Sequence, residues 1–225
     1  MLFRSTSHKF PFPSSFFNVV VFRFPAAMSE AAYRNIISES KRVLKPSGYL
    51  EMAILDLDMM NMGNRTRRAV RGLKVQIQTA DSTLSLGSAS DLVLKTVAKR
   101  GFIDVKSCNV GVPVASAIPS SASSKLKSDS KNKAVVKEEE MSLADLMRDE
   151  SPASDEGITK MVAKVGRWWY ARCYESAVLL NGEVSSSILN DEALLQECEK
   201  WNANFKLAVA YAQKPVQGRR RTASV

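Results

Sequence analysis

Glu39-Ser40-Lys41-Arg42-Val43-Leu44-Lys45-Pro46-Ser47-Gly48-Tyr49-Leu50-Glu51 changes its periodicity halfway along. Upstream of Pro46, apolar residues recur at helical spacing. Ala32, Ile36, Ile37, Val43 and Leu44 are the candidate buried positions of a helix that Ser29 is placed to cap. Downstream, Tyr49 to Leu55, apolar apart from Glu51, reads as a second buried strand. Pro46-Ser47-Gly48 must therefore end a helix and launch a strand. Proline cannot continue the helix, and glycine accepts positive φ at the turn.

The same alternation extends in both directions. Residues 16–22, Phe-Phe-Asn-Val-Val-Val-Phe, read as a strand buried on both faces ahead of the helix. The second strand ends in the acidic cluster Asp56-Leu57-Asp58. Residues 64–78 read as a basic helix carrying Arg65, Arg67, Arg68, Arg71 and Lys74, a solvated face before it is a binding one. A helix over 88–100, with Leu92, Val93, Val97 and Ala98 in phase, stops at Gly101 and leads into a third strand, Phe102 to Val112. Strands alternating with helices through short connections predict a parallel sheet flanked by helices.

Residues 115–157 differ in kind: they hold ten serines, no aromatic residue and the acidic block Glu138-Glu139-Glu140. Such a segment buries too little surface to offset the entropy of ordering, so a disordered linker is expected, with a transient helix near 141–149. Order is expected to return as an aromatic helix over 158–176 with Trp168, Trp169, Tyr170 and Tyr174. An amphipathic helix over 190–201 would bury Leu194, Leu195, Cys198 and Trp201. A last strand, Phe205 to Ala212, ends before Pro215, and the basic tail Arg219-Arg220-Arg221-Thr222 has the form of a basic-directed kinase site.

Composition narrows the chemistry. The 225 residues are 45% apolar and 24% charged, with a formal charge of +9, and no apolar run approaches the roughly 20 residues that span a bilayer. The three cysteines, Cys108, Cys173 and Cys198, are odd in number and far apart, which argues for a reducing compartment over a disulfide framework. The single histidine, His8, lies in the N-terminal stretch. Serine–histidine and cysteine–histidine nucleophile arrangements, and zinc patterns pairing cysteine with histidine, are thereby set aside, and no metal site is expected. The first 29 residues lack Asp and Glu, as a targeting segment would, but Pro11, Pro13 and Pro25 interrupt any amphipathic helix.

Two segments carry a family resemblance. Phe10-Pro11-Phe12-Pro13-Ser14-Ser15-Phe16-Phe17-Asn18-Val19-Val20-Val21 resembles the "LPFPDxSFDVV" entry to the fourth strand of class I S-adenosylmethionine-dependent methyltransferases. Glu39 to Glu51 resembles their "E-x-x-RVLKPGGxLxx" helix–turn–strand. Lys99-Arg100-Gly101-Phe102-Ile103-Asp104-Val105 is similar to the "AGF-x-x-V" approach to the sixth strand, and Phe205 to Pro215 to the last, antiparallel strand. Asn18 stands where the family has aspartate and Ser47 where it has the second glycine.

The resemblance implies an α/β fold, a partial Rossmann-like sheet with strand order 4-5-7-6 out of the family's 3-2-1-4-5-7-6. Strands 1-3 would be missing, and a disordered insertion would precede the last strand. The implied divisions are a loose 1–9, the C-terminal half of the methyltransferase domain at 10–114, the serine-rich linker at 115–157, a helical insertion plus last strand at 158–215, and the tail at 216–225. It implies methyl transfer from S-adenosyl-L-methionine to an unidentified acceptor, with catalysis largely by positioning. The family's glycine-rich cofactor loop has no counterpart here; Gly63, Gly72 and Gly87 are isolated, so weak or no cofactor binding by these residues alone is expected. Since ligands lie beyond the carboxyl ends of parallel strands, Phe22, Arg23 and Phe24 would face the cofactor. Asp56, Asp58, Trp168 and Trp169 would face the acceptor, the last two as an aromatic lid. The alternative is a non-catalytic scaffold derived from a methyltransferase. A protein partner covering the exposed sheet edge is expected. No membrane association is expected, and the lack of RNA-module aromatics or zinc fingers argues against nucleic acid. The expected compartment is the cytoplasm, with the nucleus as the alternative.

Overall fold

The structure, a computed structural model, describes residues 9–115, 152–179 and 187–216. Strand β1 (Phe17–Arg23) is followed by helix α1 (Glu30–Val43), strand β2 (Leu44–Met60), helices α2 (Asn64–Ala80) and α3 (Ala89–Lys99), and strand β3 (Ile103–Pro113). After the break come α4 (Pro152–Tyr170), a π-helical turn (Ala171–Glu175) and a helical turn, Ser176–Leu179. A 3-10 turn (Ile188–Asn190), α5 (Glu192–Lys200) and β4 (Asn204–Gln213) complete it. His8, the tail beyond residue 216 and the expected helix near 141–149 lie outside the described residues.

The four strands form one mixed sheet in the order β1-β2-β4-β3. β1 and β2 run parallel, while β4 is antiparallel to both β2 and β3. This is an α/β fold with the strand order and directions that the resemblance implies: the last strand in sequence is inserted, reversed, beside the second.

Side-chain chemistry explains the helix boundaries. Ser29 caps α1 by accepting from Ala32 N, Ser88 caps α3 by accepting from Asp91 N, and Asp191 caps α5 by accepting from Ala193 N and Leu194 N. α1 and α3 cover one sheet face, packing Tyr33, Ile37, Val93 and Val97 on Leu50, Met52, Ile54, Ala210 and Ala212. Each such fully buried aliphatic side chain contributes about 1.5–3 kcal/mol. The opposite face is covered only toward the carboxyl end of β2. There Leu55, Leu57, Met59 and Phe205 meet α2, the end of α4, the π turn and α5 through Val70, Leu73, Tyr170, Tyr174 and Leu194.

Several expectations are corrected. β1 is not buried on both faces: Val19 is 44% and Val21 51% exposed, because β1 is an edge strand and nothing described covers that side. The turn between α1 and β2 also differs. Helix ends at Val43, β2 begins at once, and residues 45–48 bulge from the ladder between the pairs Phe17–Leu44 and Val19–Tyr49. The left-handed residue is Ser47 (φ 63), not Gly48. Gly48 is needed for space, since a Cβ there would sit 2.8 Å from Asn18 O and 2.9 Å from Lys45 O. β2 runs on to Met60, so the Asp56-Leu57-Asp58 cluster lies within the strand, at the irregularity between the pairs Leu55–Leu207 and Met59–Phe205. α4 begins at Pro152, ahead of the expected residue 158; proline suits the first helical position because its missing N–H is unpaired there anyway. Trp201 is 56% exposed because helical dihedrals stop at it, the C-cap of α5, which takes it off the Leu194–Cys198 line.

Candidate functional site

The carboxyl ends of β1 and β2 are where a parallel pair opens outward, so the site is built from there. Backbone pairing continues one residue beyond β1, with Phe24 N donating to Ala53 O at 2.7 Å. Phe24 then takes a left-handed φ of 47°, which a side chain other than glycine adopts at a cost of roughly 1–3 kcal/mol. Its ring stacks on Trp169 with centroids 4.4 Å apart and planes 15° apart. Trp168 meets Trp169 edge-on at 4.7 Å, and the Arg172 guanidinium lies over the Trp168 ring, 5.6 Å from its centroid.

The π turn is what docks this aromatic helix on the sheet. The Cys173 carbonyl within it accepts from Ala27 N at 2.7 Å, tying the loop after β1 to the insertion. The Tyr170 hydroxyl donates to Leu57 O at 3.0 Å, and the Tyr174 hydroxyl donates to Leu55 O. Both carbonyls lie on β2 beyond Ala53, the last residue paired with β1, and Leu57 also lies within the irregularity between Leu55 and Met59. Burial raises both tyrosine pKa values well above the ordinary range, which keeps the hydroxyls as donors. Burial likewise pushes the Cys173 thiol up to about 12, against the opposing pull of Arg172, so this thiol is a packing group and not a nucleophile. Neither tyrosine's role was legible beforehand, because the signal is a break in ladder pairing between distant segments.

The expected site residues divide among different environments. Phe22 turns toward the α1–α3 side and packs half-buried against that core. Arg23 points to the open face and pairs with Glu51 at 3.2 Å. Phe24 alone of the three lies against the aromatic helix. Asp56 is 2% exposed and accepts from Ser90 N at 2.9 Å, Ser90 Oγ at 2.7 Å and Ser88 Oγ at 3.1 Å, with Lys206 Nζ at 3.0 Å. It anchors the start of α3. Asp58 is exposed and paired with Lys74 at 2.7 Å. Trp168 and Trp169 do come together with Phe24, so the structure unites one expected cofactor-side residue with both expected acceptor-side aromatics.

S-adenosylmethionine, the cofactor the fold family implies, can be tested against the space around the glycines. A Cβ on Gly63 would lie 2.3 Å from Glu197 Cδ, one on Gly48 2.8 Å from Asn18 O, and one on Gly166 2.9 Å from Val112 Cγ1. Gly111 faces Asn204 and Met60, Gly101 faces Lys41, and Gly72 and Gly87 have nothing within 4 Å. The crowded glycines are filled by the protein's own atoms, and the open ones are isolated. These glycines therefore do not form a cradle for the cofactor. Among them there is also no group of histidine, cysteine or carboxylate side chains that could hold a metal ion. No described helix is long and apolar enough to cross a membrane.

No family model matches the chain, and no curated protein matches it. Among solved structures, a provisionally named methyltransferase of Bacillus halodurans C-125 aligns with 93% of this chain and 75% of its own, at 13% identity and a TM-score of 0.37. Phosphoethanolamine N-methyltransferase 2 of Haemonchus contortus, solved with phosphomonomethylethanolamine and S-adenosylhomocysteine, aligns with 92% of this chain at 15% identity and a TM-score of 0.37. This chain spans 35% of that enzyme's length. The YcgJ protein of Bacillus subtilis covers 95% of this chain and 70% of its own, at 11% identity and a TM-score of 0.33.

Proposed function

We propose that this chain supplies the acceptor-facing side of an S-adenosylmethionine-dependent methyltransferase. The observation that carries the reading is the sheet order β1-β2-β4-β3 with a reversed β4, joined to the Glu39–Glu51 and Phe10–Val21 motifs in the same order along the chain. A generic Lys-Pro-x-Gly turn would not predict that insertion of the last strand. In this reading the acceptor approaches the Phe24–Trp169 end of the sheet. The methyl donor is held by a cofactor-binding complement of the sheet, which would pair with the outer edge of β1 and cover Val19 and Val21. These residues' own part is positioning: the Ala27–Cys173 bond and the Phe24–Trp169 stack hold the rim in one geometry, the condition for catalysis by proximity.

Protein isolated from its native cells, incubated with tritiated S-adenosylmethionine and a panel of phenolic, carboxylic and amine acceptors, tests this. Label transferred to an acceptor, and reduced when Phe24 is changed to Ala, is the expected result. Protein that neither transfers label nor is photolabelled by the cofactor would overturn the reading in favour of a non-catalytic scaffold.

A further inference from the structure

Trp168 is 55% exposed, the largest side chain at the strand-end rim left open to solvent. It is nonetheless held in place. Its edge abuts Trp169, which in turn lies flat on Phe24, and Arg172 one turn along sits over its ring. A solvated surface tryptophan needs neither support. Arg172 has no carboxylate partner among the described residues, whereas Arg23 at the same strand end is paired with Glu51. A half-exposed indole that carries a cation over its ring, with no carboxylate partner for that cation among the described residues, is complementary to a flat, electron-rich ring bearing a negative charge. The ring would stack on the indole and the anion would reach the guanidinium.

The backing also fixes the platform's height relative to the sheet. Phe24 is strained at positive φ, and the Ala27–Cys173 backbone bond clamps the loop against the π turn that carries Arg172. Strain retained at the end of a parallel strand marks a place where geometry matters more than local comfort.

We infer that Trp168 and Arg172, supported by Trp169 and Phe24, form a binding platform for an aromatic carboxylate or phenolate. Calling that ligand the methyl acceptor rests on the function proposed above; the binding itself does not. An anionic hydroxyl-bearing ring is a chemically sensible acceptor, because a phenolate oxygen is already nucleophilic and needs no histidine base.

Isothermal titration of the full chain without cofactor separates the two claims. Naphthalene-2-carboxylate is the probe, with naphthalene-2-methanol as the neutral ring and cyclohexanecarboxylate as the anion without a π face. The carboxylate is expected to bind about tenfold tighter than either control. Trp168→Leu, at an exposed position that leaves the core intact, should abolish that preference over cyclohexanecarboxylate. Arg172→Gln should instead erase the preference over the neutral alcohol. Equal affinity for all three probes, no binding, or an unchanged Trp168→Leu variant would overturn the platform. Selective binding by a protein that never transfers a methyl group would leave the platform standing and remove only its role as acceptor site.

Discussion

The Arg42 guanidinium closes on the Glu39 carboxylate at 2.7 Å and directs its remaining N–H groups to the carbonyl oxygens of Phe10 at 3.0 Å and Phe12 at 2.8 Å. Glu39 completes the clamp by accepting from Phe10 N at 2.8 Å. The two motifs that carry the family resemblance are thus one physical unit. The last turns of α1, through Glu39 and Arg42, hold the proline-rich entry to β1.

Arg42→Lys is expected to lower the midpoint of chemical denaturation nearly as much as Arg42→Ala, because a point charge cannot replace a planar fork serving two carbonyls and a carboxylate. In a double-mutant cycle, Glu39→Ala should add little once Arg42 is gone. The hydrogen bond from Arg42 holds the Glu39 carboxyl below its usual range, with the Phe10 N–H assisting. A depressed folded pKa gives stability that is present above the unfolded value and lost as pH falls through the folded one. Acid titration of the wild type should therefore show a fall that Glu39→Gln lacks.

Asp56→Ala is expected to cost about 3 kcal/mol in urea denaturation, since it strands Lys206 and frees the start of α3. Lys206→Met should cost less, because Ser88 and Ser90 still hold the carboxylate. If Asp56 instead faced an acceptor, its loss would spare stability and reach activity alone.

Gly63→Ala and Glu197→Ala should each destabilise by roughly 0.5–2 kcal/mol, the worth of a helix cap. The Glu197 carboxylate accepts from Arg65 N at 3.0 Å and Thr66 N at 2.7 Å, capping α2 from a distant helix, and a Cβ at residue 63 would push it away. The double variant should be scarcely worse than Glu197→Ala. Additive losses in thermal melts would show that the two residues do not share the cap.

Glu175 sits at the end of the π turn, 2% exposed, with Oε1 accepting from Ile188 N at 3.2 Å and Oε2 without a hydrogen-bond partner among the described residues. Burial raises its pKa. A folded state that holds the proton more tightly than the unfolded chain is most stable below the ordinary carboxyl range. Stability then falls as pH rises toward the raised value and levels off above it. Glu175→Gln should remove that fall and leave the protein more stable than wild type above the raised pKa, because the neutral amide carries no buried charge. Equal pH profiles for the two proteins would refute this.

By itself, the chain's residue pattern determined the element types and their order. Helical spacing before Val43, apolar runs after it, the cap Ser29 and the break at Gly101 all act within a few residues, and each is where local chemistry places it. The motifs also carried the strand order. Only the tertiary structure decided which apolar residues are covered: Val19 and Val21 have the same composition as a core strand but lie at an edge. It also decided that Asp56 anchors a helix, that Ser47 and not Gly48 takes positive φ, and that Glu197 caps α2. Periodicity states which side of an element is apolar, whereas coverage, pairing and charge compensation depend on partners distant in sequence, from 28 residues for Arg23 and Glu51 to 131 for Thr66 and Glu197.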